Sequence, residues 1–254
     1  MSSSSARARI ESLTVRAHAE AWSPRTDLDW WGGGPVVPAG VTAAAYVDSV
    51  SQLFHAEQAS LRIAAALVGR LGDPAAEAFL ATQVADEERH AQALRGYLER
   101  LGDVAPIDRH LAAVVAHARR ADGPPWVQIA ALDVMLAHEV MPLQQRRLAH
   151  GRCPLLRQIG ARLAADDVRH AAFGVAYLEL TLPTVAAAER AAGQAWLAEL
   201  WQLWTVAVLA RARPAGRPLH PDRGALAALA THAAALLRQL GLVGELSTPA
   251  LAGA

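Results

Sequence analysis

The chain has 254 residues, of which 53% are hydrophobic and 19% are charged, and its formal net charge is zero. This length and apolar content are sufficient for one large domain with a substantial core. The neutral balance provides no overall positive field, so no nucleic-acid partner is expected. All 24 basic residues are arginine, which excludes enzymes that depend on a nucleophilic or Schiff-base lysine.

The single cysteine, Cys153, cannot form an intrachain disulfide, a cysteine-based zinc site or an iron–sulfur cluster. The most apolar run, Leu200–Ala210, is too short to cross a bilayer. The serine-rich start lacks the apolar segment of a signal peptide. We therefore expect a cytoplasmic protein without membrane association.

The first 40 residues contain only a weak helical pattern, around Ile10–Ala21, followed by a loop rich in glycine and proline. Trp22, Trp30 and Trp31 lie in this region. They indicate either an arm that packs over the outside of a helical bundle or a cover over a substrate entrance. Packing is the favoured alternative.

After this arm, apolar residues recur at helical spacing in four long segments separated by glycine and proline. Thr42 is a suitable N-cap for the first segment. The predicted helices cover residues 41–71, 75–101, 126–150 and 154–180. In the last of these, Gly174 indicates either a close approach of helices or room for a ligand.

Three shorter predictions complete the fold. A helix over residues 107–120 lies within a long crossover between the two helix pairs, and packing helices follow over residues 184–212 and 221–240. No strand pattern persists, so the predicted class is all-α. We expect an N-terminal arm (residues 1–40), a four-helix bundle (41–183), and C-terminal helices of the same domain with a loose tail (184–254).

One motif occurs twice in this pattern. Asp86–His90 and Asp166–His170 both consist of Asp, then Glu or Asp, one variable residue, Arg and His. Residues three apart lie on the same face of a helix, so the second acid of each motif is paired with its histidine. Such acid–histidine pairs supply the ligands in dimetal carboxylate bundles.

A mid-helix glutamate precedes each motif at a similar distance: Glu57 lies 30 residues before Glu87, and Glu139 lies 28 residues before Asp167. Antiparallel helices of similar length would bring these positions to one level. The six candidate metal ligands, which are also the candidate catalytic residues, are Glu57, Glu87, His90, Glu139, Asp167 and His170.

Four carboxylates and two neutral imidazoles carry a charge of −4, which two divalent cations would neutralise. Without metal, buried acids at this density would repel one another. Oxygen and imidazole ligands suit iron or manganese, so we expect two iron ions or a mixed manganese–iron pair. Asp86 and Asp166 are placed to accept a hydrogen bond from the histidine of the other motif. Arg89 and Arg169 would pair with these aspartates.

The two motifs and their preceding glutamates resemble the ferritin-like superfamily of di-iron carboxylate proteins over about residues 42–180. They are most similar to the branch with ribonucleotide reductase small subunits and bacterial multicomponent monooxygenase hydroxylases. The resemblance implies a non-haem di-iron oxidase or oxygenase with O2 as co-substrate and a small organic substrate. It also implies an external electron donor, such as a ferredoxin or a flavin reductase. A homodimer is compatible with the sequence.

Three positions depart from relatives within this superfamily. Leu94 stands where ribonucleotide reductase small subunits usually have a radical tyrosine, so radical storage for nucleotide reduction is not expected. Asp167 replaces the usual glutamate, and Leu163 stands where arylamine N-oxygenases have an additional histidine. Together with Leu136, Leu94 and Leu163 are predicted to border an apolar cavity for O2.

Two other functions are compatible with the same residues. A ferritin-like iron-binding protein with ferroxidase activity would use the same ligands without an organic substrate. A helical interaction module would use no metal at all. Gln83, one turn before Glu87, is either a hydrogen-bond partner of a ligand or substrate or an ordinary buried amide.

Overall fold

The computed structural model describes residues 3–120, 123–136, 153–212 and 223–242. These ranges contain α-helices and no strand, which confirms the all-α prediction. No helix within them is both long and apolar enough to span a membrane. The α-helices are α1 (Ser3–Ala19), α2 (Ala43–Leu67), α3 (Pro74–Leu98), α4 (Arg109–Ala118), α5 (Pro125–Ile129), α6 (Pro154–Thr181), α7 (Ala187–Ala212) and α8 (Arg223–Gln239).

Local signals determine the ends of α2 and α3, which pack against each other. The Thr42 side chain accepts a hydrogen bond from the backbone N–H of Ala45, as predicted for an N-cap. Asp73 caps α3 by accepting from two backbone N–H groups. α2 ends at Leu67, four residues earlier than predicted, just before Gly69, whose φ of +80° lies in the left-handed region.

The N-terminal arm begins with a regular helix, so the prediction of only a weak helical stretch was wrong. α1 packs against α3 and α6. Its buried side chains, Ala6, Ile10, Leu13 and Ala17, recur every three or four residues, which is the spacing of one helix face. Two of the four are alanines and contribute little hydrophobic contrast, which explains why the sequence pattern was weak.

The third long helix differs from the prediction of one α-helix over residues 126–150. α5 continues as a π-helix over Ala130–Leu136, which packs against α6. Residues 137–152, which include the predicted ligand Glu139, lie outside the described residues. A π-helix winds more widely than an α-helix and changes which side chains face the bundle.

The two C-terminal helices were predicted as packing elements, and the structure confirms this. α7 packs against α4 and α5, and α8 packs against the π-helix. The Trp126 indole N–H donates a hydrogen bond to Glu189 at the start of α7. These contacts cover the outside of the bundle and leave its centre to α2, α3, α6 and the π-helix.

The buried apolar side chains form two clusters along the bundle. The first contains Phe79 of α3 and Phe173 of α6, and the second contains Phe54 of α2, Leu94 of α3 and Leu163 of α6. On each of these three helices, the predicted metal ligands lie between the residues of one cluster and those of the other. The bundle therefore has a polar layer between two apolar regions.

Gly174 confirms the predicted close approach of helices. A β-carbon added at this position would lie 2.6 Å from Cβ of Asp133 and 3.2 Å from its carbonyl carbon. Neither atom can move independently of the π-helix backbone. The absence of a side chain at Gly174 therefore allows the π-helix to lie directly against α6.

We predict that Gly174→Ala destabilises the protein by about 1–3 kcal/mol, because an additional methyl group must separate two packed helices. Alanine is intrinsically favoured over glycine in a helix by about 1 kcal/mol, so a loss of stability can only come from packing. Urea unfolding would measure it. Gly34→Ala is the control, since no atom lies within 4 Å of its added β-carbon; equal stability of both variants would contradict the close contact.

Candidate dimetal site

Five of the six predicted ligands meet at one level of the bundle, and all five are buried. Glu57, Glu87 and His90 form one group, here called the first half-site, in which one ligand atom from each lies within 4.8 Å of the others. Glu87, Asp167 and His170 form the second half-site by the same criterion. Glu139 lies outside the described residues.

Glu87 is shared by the two half-sites through its two carboxylate oxygens. Its Oε2 lies 3.5 Å from Nδ1 of His90, and its Oε1 lies 3.5 Å from Nδ1 of His170. Glu57 and Asp167 complete the two groups, at 3.2 Å from Nδ1 of His90 and 3.5 Å from Nδ1 of His170, respectively. The arrangement is a pair of similar ligand sets with a common carboxylate.

The other ring nitrogen of each histidine contacts the aspartate of the opposite motif. Nε2 of His90 lies 3.0 Å from Oδ2 of Asp166, and Nε2 of His170 lies 3.0 Å from Oδ2 of Asp86. Since an ionised carboxylate can only accept, each Nε2–H donates and Nδ1 faces the centre of the site. The predicted exchange of partners between the two motifs is confirmed.

The predicted arginine partners are also present. Arg89 forms an ion pair with Asp86, and Arg169 forms one with Asp166. Arg169 additionally lies 3.4 Å from Asp86 and 2.9 Å from Glu20, which follows α1. Its side chain is 1% exposed. One buried guanidinium thus links both aspartates to the N-terminal segment.

The tryptophans of the arm have three different environments. The Trp22 indole N–H donates to Asp166 at 2.8 Å, and its ring is stacked 6.4 Å from that of His90. Trp30 packs where a side chain at Gly96 would otherwise lie. Trp31 is 91% exposed and, with Trp30, borders a surface groove of about 490 Å³. Trp22 therefore covers the site, whereas the groove lies further along α3.

Burial and close contacts shift the acid–base equilibria of the site. Burial raises the pKa of Glu57 to about 8, against the opposing effect of its hydrogen bond with His90. Burial also acts on Glu87, but its contacts with His90 and His170 outweigh this and lower the pKa. For His170, hydrogen bonds to Asp167 and Asp86 overcome the effect of burial and raise the pKa to about 10. The metal-free site therefore retains protons that a bound cation would displace.

Two carboxylate oxygens of the five described ligand candidates lack hydrogen-bond partners. Oε1 of Glu57 and Oε2 of Glu87 are buried without one. A buried carboxylate oxygen without a partner is costly, and coordination of a cation would remove this cost. The described residues therefore fit a pair of divalent metal ions bound by oxygen and imidazole ligands.

Asp133 is a buried acid that the sequence analysis did not identify. It lies on the π-helix, and its Oδ1 accepts a hydrogen bond from Nε2 of Gln83 at 2.8 Å. Gln83 therefore binds an acid that was not among the predicted ligands. A signal was present in the sequence, because Asp133 is the only charged residue in the apolar segment Ile129–Leu136.

The predicted apolar cavity is only partly consistent with the packing. Leu94 and Leu163 belong to the same apolar cluster, but Leu136 packs against the other one. The three leucines therefore do not border one space as expected. The π-helix accounts for the difference, since it changes the direction of side chains after Ile129 relative to an α-helix.

We predict that the unfolding free energy of the metal-free protein decreases between about pH 6 and pH 9. The pKa of His170 is raised in the folded protein. Protonated His170 therefore stabilises the fold fully at pH values below its usual pKa, and this stabilisation is lost as the pH rises through about 10. Glu57 also lowers the stability as the pH rises, because its carboxyl group stays protonated in the folded protein up to a pKa of about 8. Urea unfolding at both pH values would measure the change. A Glu57→Gln variant should show a smaller decrease, and an increase in the wild type would contradict the prediction.

We predict that Asp166→Ala weakens metal binding by about 10–100-fold, because His90 loses the acceptor that orients it. Asp166→Asn retains an acceptor oxygen and should preserve most of the affinity. Calorimetric titration with Mn(II) would measure both variants. The exposed Asp103→Ala is the control, and wild-type affinity in Asp166→Ala would show that the contact does not support the ligand.

Neither a protein-family model nor any curated protein matches this sequence. Solved structures do match. A Bacillus halodurans protein described as a candidate class I ribonucleotide reductase has 12% identity and a TM-score of 0.68, over 93% of this chain and 96% of that one. An R2-like ligand-binding oxidase with a reconstituted Mn/Fe cofactor has 18% identity and a TM-score of 0.64, over 93% and 86%. The chain thus has the ferritin-like helical fold of the R2-like proteins, as predicted.

Proposed function

We propose that the protein is a non-haem dimetal oxidase or oxygenase that uses O2 to oxidise a small organic substrate. The observation that carries this proposal is the pair of buried half-sites that share Glu87. Each presents two carboxylates and the Nδ1 atom of a histidine within a small space. This donor set suits redox-active iron or manganese better than a structural zinc ion.

The five described residues would hold the metals, with Glu57 and His90 on one side, Asp167 and His170 on the other, and Glu87 between them. When bound, two iron ions, or one manganese and one iron ion, supply the redox chemistry that activates O2. The fold similarity to an oxidase with a Mn/Fe cofactor supports keeping both metal compositions in this proposal.

The surrounding residues control protonation and exclude water. Asp86 and Asp166 hold the protons on the Nε2 atoms, so each Nδ1 remains available to a cation. Arg169 balances the charge of both aspartates. Trp22 closes the site at His90, and the apolar clusters keep the polar layer away from solvent. Low solvent access strengthens the electrostatic interactions inside the site.

The apolar residues around the polar layer support an organic substrate. Leu94 lies one turn after His90, and Leu163 lies one turn before Asp167, and both are fully buried. They would contact the hydrocarbon part of a substrate beside the first half-site. We propose that an external donor, such as a ferredoxin or a flavin reductase, supplies the electrons and that the protein acts in the cytoplasm.

We expect the wild-type protein to bind two Fe(II) ions per chain in an anaerobic titration. When O2 is then added, the Fe(II)-loaded protein should consume it and show a transient visible absorption band. Glu87→Ala should lose both responses, because this carboxylate serves both half-sites. Glu88→Ala is the matched control, since the neighbouring Glu88 is exposed and should leave both responses intact.

Two results would refute the proposal. If Glu87→Ala binds metal and reacts with O2 as the wild type does, the motifs are structural. If the protein elutes as a very large particle and takes up iron far beyond two ions per chain, the ferritin-like storage function replaces the oxidase. Gel filtration and iron analysis on the same sample would distinguish these cases.

A further inference from the structure

We propose that Asp133 is a further carboxylate ligand of the dimetal site, on the side of the second half-site. This inference rests on the proposed function. Asp133 is fully buried on the π-helix, and none of the sequence motifs includes it. Four kinds of observation support the assignment: its position, its unpartnered oxygen, the charge of the site and the local helix geometry.

The position of Asp133 is determined by one residue on α3 and one on α6, each one turn away from a predicted ligand. Gln83, which donates to it, lies one turn before Glu87 on α3. Gly174, against which its β-carbon packs, lies one turn after His170 on α6. Residues one turn apart share a helix face, so Asp133 lies on the side that carries Glu87 and His170. It is one turn from their level and outside the two groups whose ligand atoms lie within 4.8 Å of one another.

Only one of its two carboxylate oxygens has a partner. Oδ1 accepts from Gln83, whereas Oδ2 is buried without a hydrogen bond. Burying an unpaired carboxylate oxygen is costly, and buried acids are normally paired or bound to metal. The hydrogen bond from Gln83 restricts rotation of the side chain. A fixed carboxylate with a free oxygen is suited to coordinate a cation.

The charge of the described site supports a fourth acid. Glu57, Glu87 and Asp167 together carry −3, while two divalent cations carry +4. In this assignment Asp133, in place of Glu139, is the fourth acid; it brings the acids to −4 and makes the filled, buried site neutral. Burial raises the pKa of Asp133 to about 7, with further effects from His170, Glu87 and Asp167, which is consistent with its position beside the second half-site.

The π-helix provides a physical reason for this position. With more residues per turn than an α-helix, it shifts the register of the side chains that follow Ile129. It also brings Asp133 into contact with α6 at Gly174, where a larger residue would clash. Single π-helical turns occur often at functional sites, and here the turn carries the one acid of its apolar segment.

The test compares Co(II) binding and stability in Asp133→Asn and wild type. Asparagine preserves the shape and can still accept from Gln83, but it removes the negative charge. We expect two Co(II) ions in the wild type and at least about a tenfold weaker second ion in the variant, with a changed visible Co(II) spectrum. Without metal, the variant should be at least as stable as the wild type, because it buries no unpaired charge.

Two control variants sharpen the assignment. Glu88 is exposed, so the Glu88→Gln variant should bind both ions normally. Glu139→Gln tests the acid that the sequence predicts for the fourth carboxylate; a loss of the second ion in this variant, together with normal binding by Asp133→Asn, would overturn the inference. So would a metal-free Asp133→Asn that is less stable but binds Co(II) unchanged, because Asp133 would then have only a packing role.

The outcomes for the proposed function and for this inference differ. A wild type that fails to bind two ions refutes the proposed function and the inference with it. A wild type that binds two ions, with an Asp133→Asn variant that does the same at equal affinity, refutes the inference alone.

Discussion

The burial of several carboxylates at one level of a helical bundle is the constraint on which the other features depend. Glu57, Glu87 and Asp167 are at least 94% buried, with exposed fractions of 2%, 4% and 6%. Acids at this density repel one another unless protons or cations neutralise them. The residues around them, two histidines with raised pKa values and a buried arginine, all supply positive charge or hydrogen bonds to this layer.

The hydrogen bonds between opposite motifs make this layer a connection between helices. Each histidine reaches across to the aspartate of the other helix, so α3 and α6 are joined twice by the same pair of contacts. Arg169 extends the connection to Glu20 after α1, and Trp22 extends it to the arm. A substitution in one motif therefore changes the environment of the ligand in the other, which limits how independently the two motifs can vary.

Much of this could be predicted from the sequence because the signals are local or repeated. The helical spacing predicts α2, α3 and α6. The duplicated motif predicts that each histidine contacts the aspartate of the other motif, as His90 does with Asp166 and His170 with Asp86. The sequence indicated only a weak helical stretch around Ile10–Ala21 instead of the regular helix α1, because alanines form half of its buried face. Alanine gives little hydrophobic contrast between faces. Asp133 was missed because α-helical spacing was assumed through Ile129–Leu136, where the chain forms a π-helix. The π-helix packs against α6 at Gly174, and no local sequence pattern records this contact between distant parts of the chain.

The sharing of Glu87 has a consequence for the order in which metal ions would bind. An ion in one half-site would fix the orientation of this carboxylate and thereby change the affinity of the other half-site. By thermodynamic linkage, the effect is equal in both directions. Yet the two half-sites are not identical, since one adds a glutamate and the other a shorter aspartate. Cooperative occupation of two unlike positions is a physical basis on which one chain could distinguish two different metals.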